Sequence, residues 1–484
     1  MKVCEKSIEK ENVLAAATHA SHGYPDADGV IRKVERFFVE NRKNLFYVHI
    51  AMILVFLVLI AVPAFLPAPS ESDGLSSNFV LFSKFMVWGL WFPLVFISVI
   101  FLGRFWCGTL CPQGALTEYA NKKTLNKPVP RLLTYGWVPV SSFIIITIAG
   151  QVVGVRDYPL AALELFGVTT LAAVLTGFLF ARERRVWCRY LCPVGPLLGV
   201  FSRLGAISFE NKVTPRPTPL GVGAPKGGLG GIKNAKAKAY LCPTFINTQT
   251  KTASSNCIEC FKCVELNNPA SLHLSVRRPG REVEEIRTRD ANPWEVIFIF
   301  AATGLSLGAF YWQSSQVFVE YKQSLGGLLM DMGLTNVIGW SGPWWLMVNY
   351  PQAGDVFNLL DAVSIITFML GMTVFVGGVL FLVTALSSLC LKRDDLILSE
   401  VFALGYAYAP VALVSLVAGL GGMLFDGMAE SGIASAFIKQ SLFIAGIIWS
   451  AHISFKLANR RVLPAVILSA GVIFIAFLWK GALF

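Results

Sequence analysis

The stretch GRFWCGTLCPQG, residues 103–114, closes an apolar run long enough to cross a bilayer and sets two cysteines four apart beside an arginine and a tryptophan. A second stretch, RRVWCRYLCPVG at 184–195, does the same. Both read Arg-x-Trp-Cys-x-x-Leu-Cys-Pro-x-Gly, and each follows an apolar run of the same expected direction, so the chain carries a duplicated helical hairpin. One cysteine pair cannot complete a four-ligand site. Repeats of equal topology can pack about a pseudo-twofold axis along the membrane normal, which would bring Cys107, Cys111, Cys188 and Cys192 face to face.

Composition agrees with a membrane setting. The chain has 484 residues, 55% hydrophobic and 15% charged, with a mean hydropathy of +0.60. These values predict an all-α polytopic membrane protein. Nine runs approach the roughly 20 apolar residues a span needs: about 46–65, 79–102, 136–154, 163–181, 294–311, 361–386, 401–423, 436–455 and 462–481. A polar tail, 1–44, precedes the first, which argues against a cleaved signal peptide.

The net charge of +11 would suit nucleic acid if it were gathered in one patch. It is instead distributed over alternate loops, as a topology signal is. Arg104, Lys122, Lys123, Lys127 and Arg131 fall in one loop, and Arg182, Arg184 and Arg185 open another. Loops 66–78 and 424–435 have acids and no Lys or Arg. This predicts an inner-membrane protein in contact with lipid and not nucleic acid, with the N-terminus and cysteine motifs cytoplasmic and the C-terminus outside.

Four units follow: the tail 1–44, a duplicated membrane core 45–200, a polar insert 201–292, and a five-helix membrane domain 293–484. The insert contains a Gly/Pro/Lys linker, 215–240, without the GxxxxGK[ST] pattern of a phosphate loop. It also contains NCIECFKCVE, in which Cys257-x2-Cys260-x2-Cys263 has the spacing that gives three ligands to a [4Fe–4S] cube. No Cys-Pro follows, but Cys242-Pro243 lies upstream, and Cys242 is the expected fourth ligand.

Cysteines four apart can offer both thiolates from one helical face or one side of a tight loop. The proline after each pair discourages a continued helix, and the glycine lets the chain turn away. Arg104, Arg184 and Arg185 suit lipid headgroups or the negative charge of a thiolate-bound cluster, and Trp106 and Trp187 suit the aromatic belt. A cytoplasmic location disfavours structural disulfides. By count, zinc could occupy either set, and a redox dithiol pair is the rival at the duplicated motif. Cys4 and Cys390 have no partners in sequence.

At these motifs, over about residues 45–270, the chain resembles the NosR/NapH-type membrane polyferredoxins. The resemblance implies membrane-bound electron transport, often between the quinone pool and a respiratory or maturation partner. The chain departs from NosR-like members in showing no flavin domain and from NapH-like members in showing one ferredoxin motif rather than two, and where the related copper-reducing oxidase-assembly proteins have an immunoglobulin-like domain it has five more spans. Residues 293–484 lie outside the resemblance.

His49 and His452 stand at similar depth and are candidate contacts for haem b or a quinone. His19 and His22 read as surface residues, and the loop 312–360, with GWSGPWWLMVNYP, as an outer-interface segment. The expected function is an iron–sulfur electron-transfer component of an oxidoreductase system, with two [4Fe–4S] clusters bound by the eight motif cysteines. It would link a cytoplasmic or quinone donor to a membrane or respiratory redox partner. The alternatives are a cluster-bearing transporter or ion-translocating subunit, and a metal- or thiol-reducing assembly factor for a respiratory complex.

Overall fold

A computed structural model describes residues 29–70, 72–211, 242–248, 251–266, 271–286, 291–335, 339–391, 397–430 and 434–483. Cys4, His19, His22 and the linker 215–240 lie outside the described residues. The protein is an all-α polytopic membrane protein. Eight helices are long and apolar enough to span: Leu45–Phe65, Phe79–Leu102, Pro159–Leu179, Pro293–Ser314, Leu359–Leu391, Leu398–Leu420, Ser435–Leu457 and Val462–Leu483.

The ninth expected span, third in order, is the shorter helix Trp137–Val152. Its 16 residues rise about 24 Å, less than the roughly 30 Å of a hydrocarbon core. It is wedged between the two halves, touching the fifth and sixth spans, so protein rather than lipid meets much of its surface.

The duplication is visible in the packing. Each motif leads into a short helix, Pro112–Asn121 after the first and Val194–Ser202 after the second. The first packs against the span of the second repeat, Pro159–Leu179, and the second against the span of the first repeat, Phe79–Leu102. This reciprocal exchange is the arrangement a pseudo-twofold pair requires. Asn121 fastens one side by donating to the carbonyls of Gly177, Phe180 and Ala181, at 2.9, 3.0 and 3.1 Å.

The prolines do more than end a helix. Pro112 occupies the first turn of the next one, where its missing N–H costs nothing, and Pro193 caps the other. The chain therefore continues as helix where the sequence pointed to a turn away.

The insert is built on an antiparallel strand pair, Ile207–Asn211 with Leu272–Val276, in which Phe209 faces Leu274. Its small core joins Phe209, Cys257, Phe261, Val264, Leu272 and Leu274. Part of the tail is structured over it: in the helix Val30–Glu40, Phe38 stacks on Phe261 at 4.6 Å and meets Phe105 edge-on at 5.3 Å. One face of that helix supplies Ile31, Phe38 and Val39 to the same core.

A buried ionic ladder ties the insert to the second membrane half. Arg203 donates to Glu295 at 2.6 Å and Glu282 at 3.2 Å, and Arg277 reaches Glu282 at 2.7 Å. Tyr406 donates to Glu295 at 2.7 Å from a 3-10 turn, Gly405–Tyr408, that interrupts the seventh span. The loop after the fifth span carries a helix, Gln316–Asp331, and a strand pair, Asn349–Tyr350 with Asp355–Val356. Trp340 and Trp345 there are exposed, as an interfacial segment requires.

Candidate iron–sulfur site

The two motifs share one backbone device. In each, the second cysteine's N–H reaches back five residues to the tryptophan carbonyl: Cys111 to Trp106 and Cys192 to Trp187, both 2.9 Å. Such a wide π-type turn sets the two thiols of a pair on one side, as the four-residue spacing predicts. Cys111 then leaves in an extended conformation, and its Sγ accepts from Gly114 N at 3.4 Å.

The cysteines fall into two groups. Burial raises the pKa of the Cys192 thiol, and charge on Cys188, Cys111 and Cys107 adds to the shift. In the insert, burial raises that of Cys263, and charge on Cys257, Cys260 and Cys242 adds to it. None of the motif cysteines forms a disulfide.

Burial pushes the Cys111 thiol up to about 12, with Cys107 and Cys188 adding to the shift. It pushes Cys188 up to about 11, against the pull of Arg185, and Cys257 up to about 12, against Lys251. Thiols so disfavoured as free anions suit a cationic iron centre that replaces the proton. Among the described residues, no three His, Cys, Asp or Glu side chains are grouped closely enough to hold a single metal ion. An all-cysteine donor set of this kind suits iron–sulfur binding. The buried Arg104 Nε, without a hydrogen-bond partner, lies in the same group as the duplicated cysteines, where a cluster sulfur would accept from it.

Two of the three arginines are buried inside the protein. Arg104 is 4% exposed and Arg185 2%. Arg104 donates to Ser255 O at 2.5 Å. Arg185 donates through Nη1 to Cys107 O at 3.0 Å and through Nε to Glu118 at 2.9 Å, while its backbone N–H reaches Pro243 O at 2.8 Å. Arg184 donates to Cys242 O. Trp187 is buried too, which takes it out of the expected aromatic belt, while the partly buried Trp106 packs edge-on against Trp91 at 5.6 Å. The duplicated loops face each other and the insert, and that contact buries Arg104, Arg185 and Trp187.

Sequence reasoning missed Glu118, Lys262 and Gly108. Glu118 pairs with Arg185 and, at 2.6 Å, with Lys262 beside Cys263. Burial alone would raise its pKa, but Arg185 and Lys262 prevail and hold it down at about 2. Gly108, between the first pair of cysteines, presses on the insert so closely that a Cβ there would stand 2.1 Å from Ile258 O and 2.9 Å from the Cys260 backbone. Gly103 has a positive φ of 56°, and a Cβ there would stand 2.1 Å from the buried Glu259 carboxylate. Burial pushes Glu259 up to about 8, against Lys251 and Arg104. Only the glycine in Cys-Gly-Thr-Leu-Cys, where the second copy has Cys-Arg-Tyr-Leu-Cys, hinted at this approach.

The two histidines are not brought together. His49 is within 3.1 Å of the Tyr119 hydroxyl, and His452 faces Glu284 at 3.5 Å. Cys390 lies half-buried in the sixth span, apart from both cysteine groups.

The family profile of a 4Fe-4S binding domain matches the chain twice, over residues 85–130 and 163–212, which supports an iron–sulfur-binding protein. Each match contains one cysteine pair, and both stop before Cys242. Two uncharacterized proteins of Methanocaldococcus jannaschii are similar. One is 24% identical over 42% of this chain and 76% of its own length, and the other 26% identical over 35% and 71%. No solved structure matches.

Proposed function

We propose that the protein is an electron-transfer component of a membrane oxidoreductase system that carries two [4Fe–4S] clusters, one on Cys107, Cys111, Cys188 and Cys192 and one on Cys242, Cys257, Cys260 and Cys263. Bound there, each cluster supplies a one-electron store. The observation that carries the reading is the backbone contact of Gly108 with Ile258–Cys260, which sets one cysteine group directly against the other. The protein's own part is to bury the thiols, hold the two loops in register through Arg185 and Glu118, and place positive charge beside them.

On the charge distribution of the loops, the cysteine face is cytoplasmic and the C-terminus outside. The reading links a soluble or quinone donor on that side to a membrane or respiratory partner, in the manner of the polyferredoxins the motifs resemble. The transporter alternative draws on the break at Gly405–Tyr408. That break is filled: a Cβ at Gly405 would stand 2.3 Å from Val296, and Arg203 lies over the Tyr406 ring at 5.1 Å. The test is iron and acid-labile sulfide on the anaerobically purified protein: about eight irons per chain is expected for two four-iron clusters. Zinc without iron would refute the proposal and favour the assembly-factor reading.

A further inference from the structure

A cleft of about 500 Å³ opens where the first span begins and the fourth ends. Separate parts of the chain line it. Arg42 stands just before the first span, Lys122 just after the helix Pro112–Asn121 of the first repeat, and Arg182 and Arg184 just after the fourth span. Lys262 comes from the insert.

The charge in this cleft is not balanced from within. Of the two lining acids, Glu118 is already answered by Arg185 and Lys262. That leaves Arg42, Lys122, Arg182 and Arg184 against the exposed Glu183. Among the described residues none of these four cations is paired with a carboxylate. Arg42 donates to the carbonyls of Phe261, at 2.7 Å, and Val264, and its Nε is buried without a partner. Arg184 donates to Cys242 O and lies over the Phe245 ring at 4.9 Å. Lys122 lies over the Tyr119 ring at 4.9 Å, and Arg182 is exposed. Cations gathered in a concave, protein-walled site attract an anion more strongly than the same charges spread over a surface.

We propose that this cleft holds the phosphate of an anionic phospholipid whose acyl chains lie along the first and fourth spans. Basic pockets between membrane helices take such headgroups. Both spans offer a path for the chains. Tyr47, Ile50, Leu54 and Leu57 are exposed on one face of the first, and Leu171, Leu175 and Phe178 on one face of the fourth. Each stripe runs up to the end at which the cleft opens. A free phosphate ester shares the headgroup's chemistry, but cations at the ends of two spans lie at headgroup depth, where lipid phosphate is the concentrated source. A zwitterionic headgroup would bring its own ammonium against Lys122 and Arg182. Because the cations come from the tail, both repeats and the insert, a bound headgroup ties these parts together and stabilises the assembled chain by mass action. The inference needs neither cluster, and it holds for either leaflet.

The experiment releases the full chain from vesicles of phosphatidylcholine and phosphatidylglycerol into mild detergent and counts the retained lipid by native mass spectrometry. A single phosphatidylglycerol per chain is expected, held in preference to phosphatidylcholine. The double variant Lys122→Gln/Arg182→Gln, which removes two exposed cations without touching a carboxylate pair, should hold it roughly thirtyfold more weakly. Lys123→Gln/Lys127→Gln removes the same charge outside the cleft and should retain the lipid as the native chain does. No preference for phosphatidylglycerol, or an equal loss in both double variants, overturns the proposal. Displacement of the lipid by glycerol phosphate as readily as by short-chain phosphatidylglycerol overturns it too, by making free phosphate ester the ligand.

Discussion

The two copies of the cysteine motif share a skeleton and differ at both variable positions between their cysteines. Between its cysteines the first has Gly108 and Thr109, and the second has Arg189 and Tyr190. The consequence is a division of labour. The first copy presses its backbone onto Ile258–Cys260, within the Cys-x2-Cys-x2-Cys run of the insert. The second holds the other side, with Tyr190 against Phe245 at 5.6 Å and Arg184 on Cys242 O. It also borders a polar cavity of about 110 Å³ that includes Cys188, Cys192, Arg189 and Glu295. A duplicated motif thus keeps its turn geometry while the residues between the cysteines assign each copy a different neighbour.

The largest expected break in this asymmetry is Gly108→Val. The added side chain has only the Ile258 carbonyl and Cys260 backbone to displace, so the loops must separate, at a cost above the roughly 1–3 kcal/mol of ordinary overpacking. Iron should fall towards about four per chain as the insert loses its cluster, read by metal analysis. Full iron would show that the close approach is dispensable.

Glu118→Gln comes next. It leaves the buried Arg185 without its carboxylate partner and should cost about 3 kcal/mol, the low end for a broken buried pair because Glu118 is partly exposed. The sign follows from its depressed pKa, about 2 in the folded protein. Its stabilisation is complete above the unfolded carboxylate value, roughly pH 4.3, and is lost as pH falls towards 2. Thermal unfolding in detergent should therefore show a constant gap between native and variant protein from about pH 8 to 5, closing only below that. A gap that widened in acid would contradict the assignment.

The smallest effect belongs to the second copy. Arg189→Ala removes a cation–π contact with Tyr190 at 5.7 Å, worth about 0.5–1 kcal/mol. Its unfolding midpoint should barely move, and its iron content should stay that of the native protein. If it lost iron as Gly108→Val does, the two copies would not differ in role.

Much of the arrangement was legible in the chain because hydrophobic runs of span length and a repeated cysteine spacing are local signals. All nine apolar runs correspond to helices, and the short third one departs because it is sheltered by neighbours that hydropathy does not show. The two groups of four cysteines could be proposed from spacing alone. Their mutual contact could not, since it depends on Gly108, Gly103 and Glu259 meeting across more than 150 residues of chain. For the arginines, lipid and the thiolate charge both stood open, because sequence records a charge at a helix end and not which surface buries it; Arg104 and Arg185 are buried beside the cysteines. The structured helix Val30–Glu40 went unseen for a related reason: its apolar positions are interleaved with charges, and their partner is the insert's core.

The central claim is that the two copies complete one site together. Electron paramagnetic resonance of the reduced protein, with Cys107→Ala and Cys188→Ala compared side by side, tests it most directly. Each substitution should abolish the same cluster signal and leave the signal of the insert in place. Loss of a different signal in each variant, or of none in either, would contradict it.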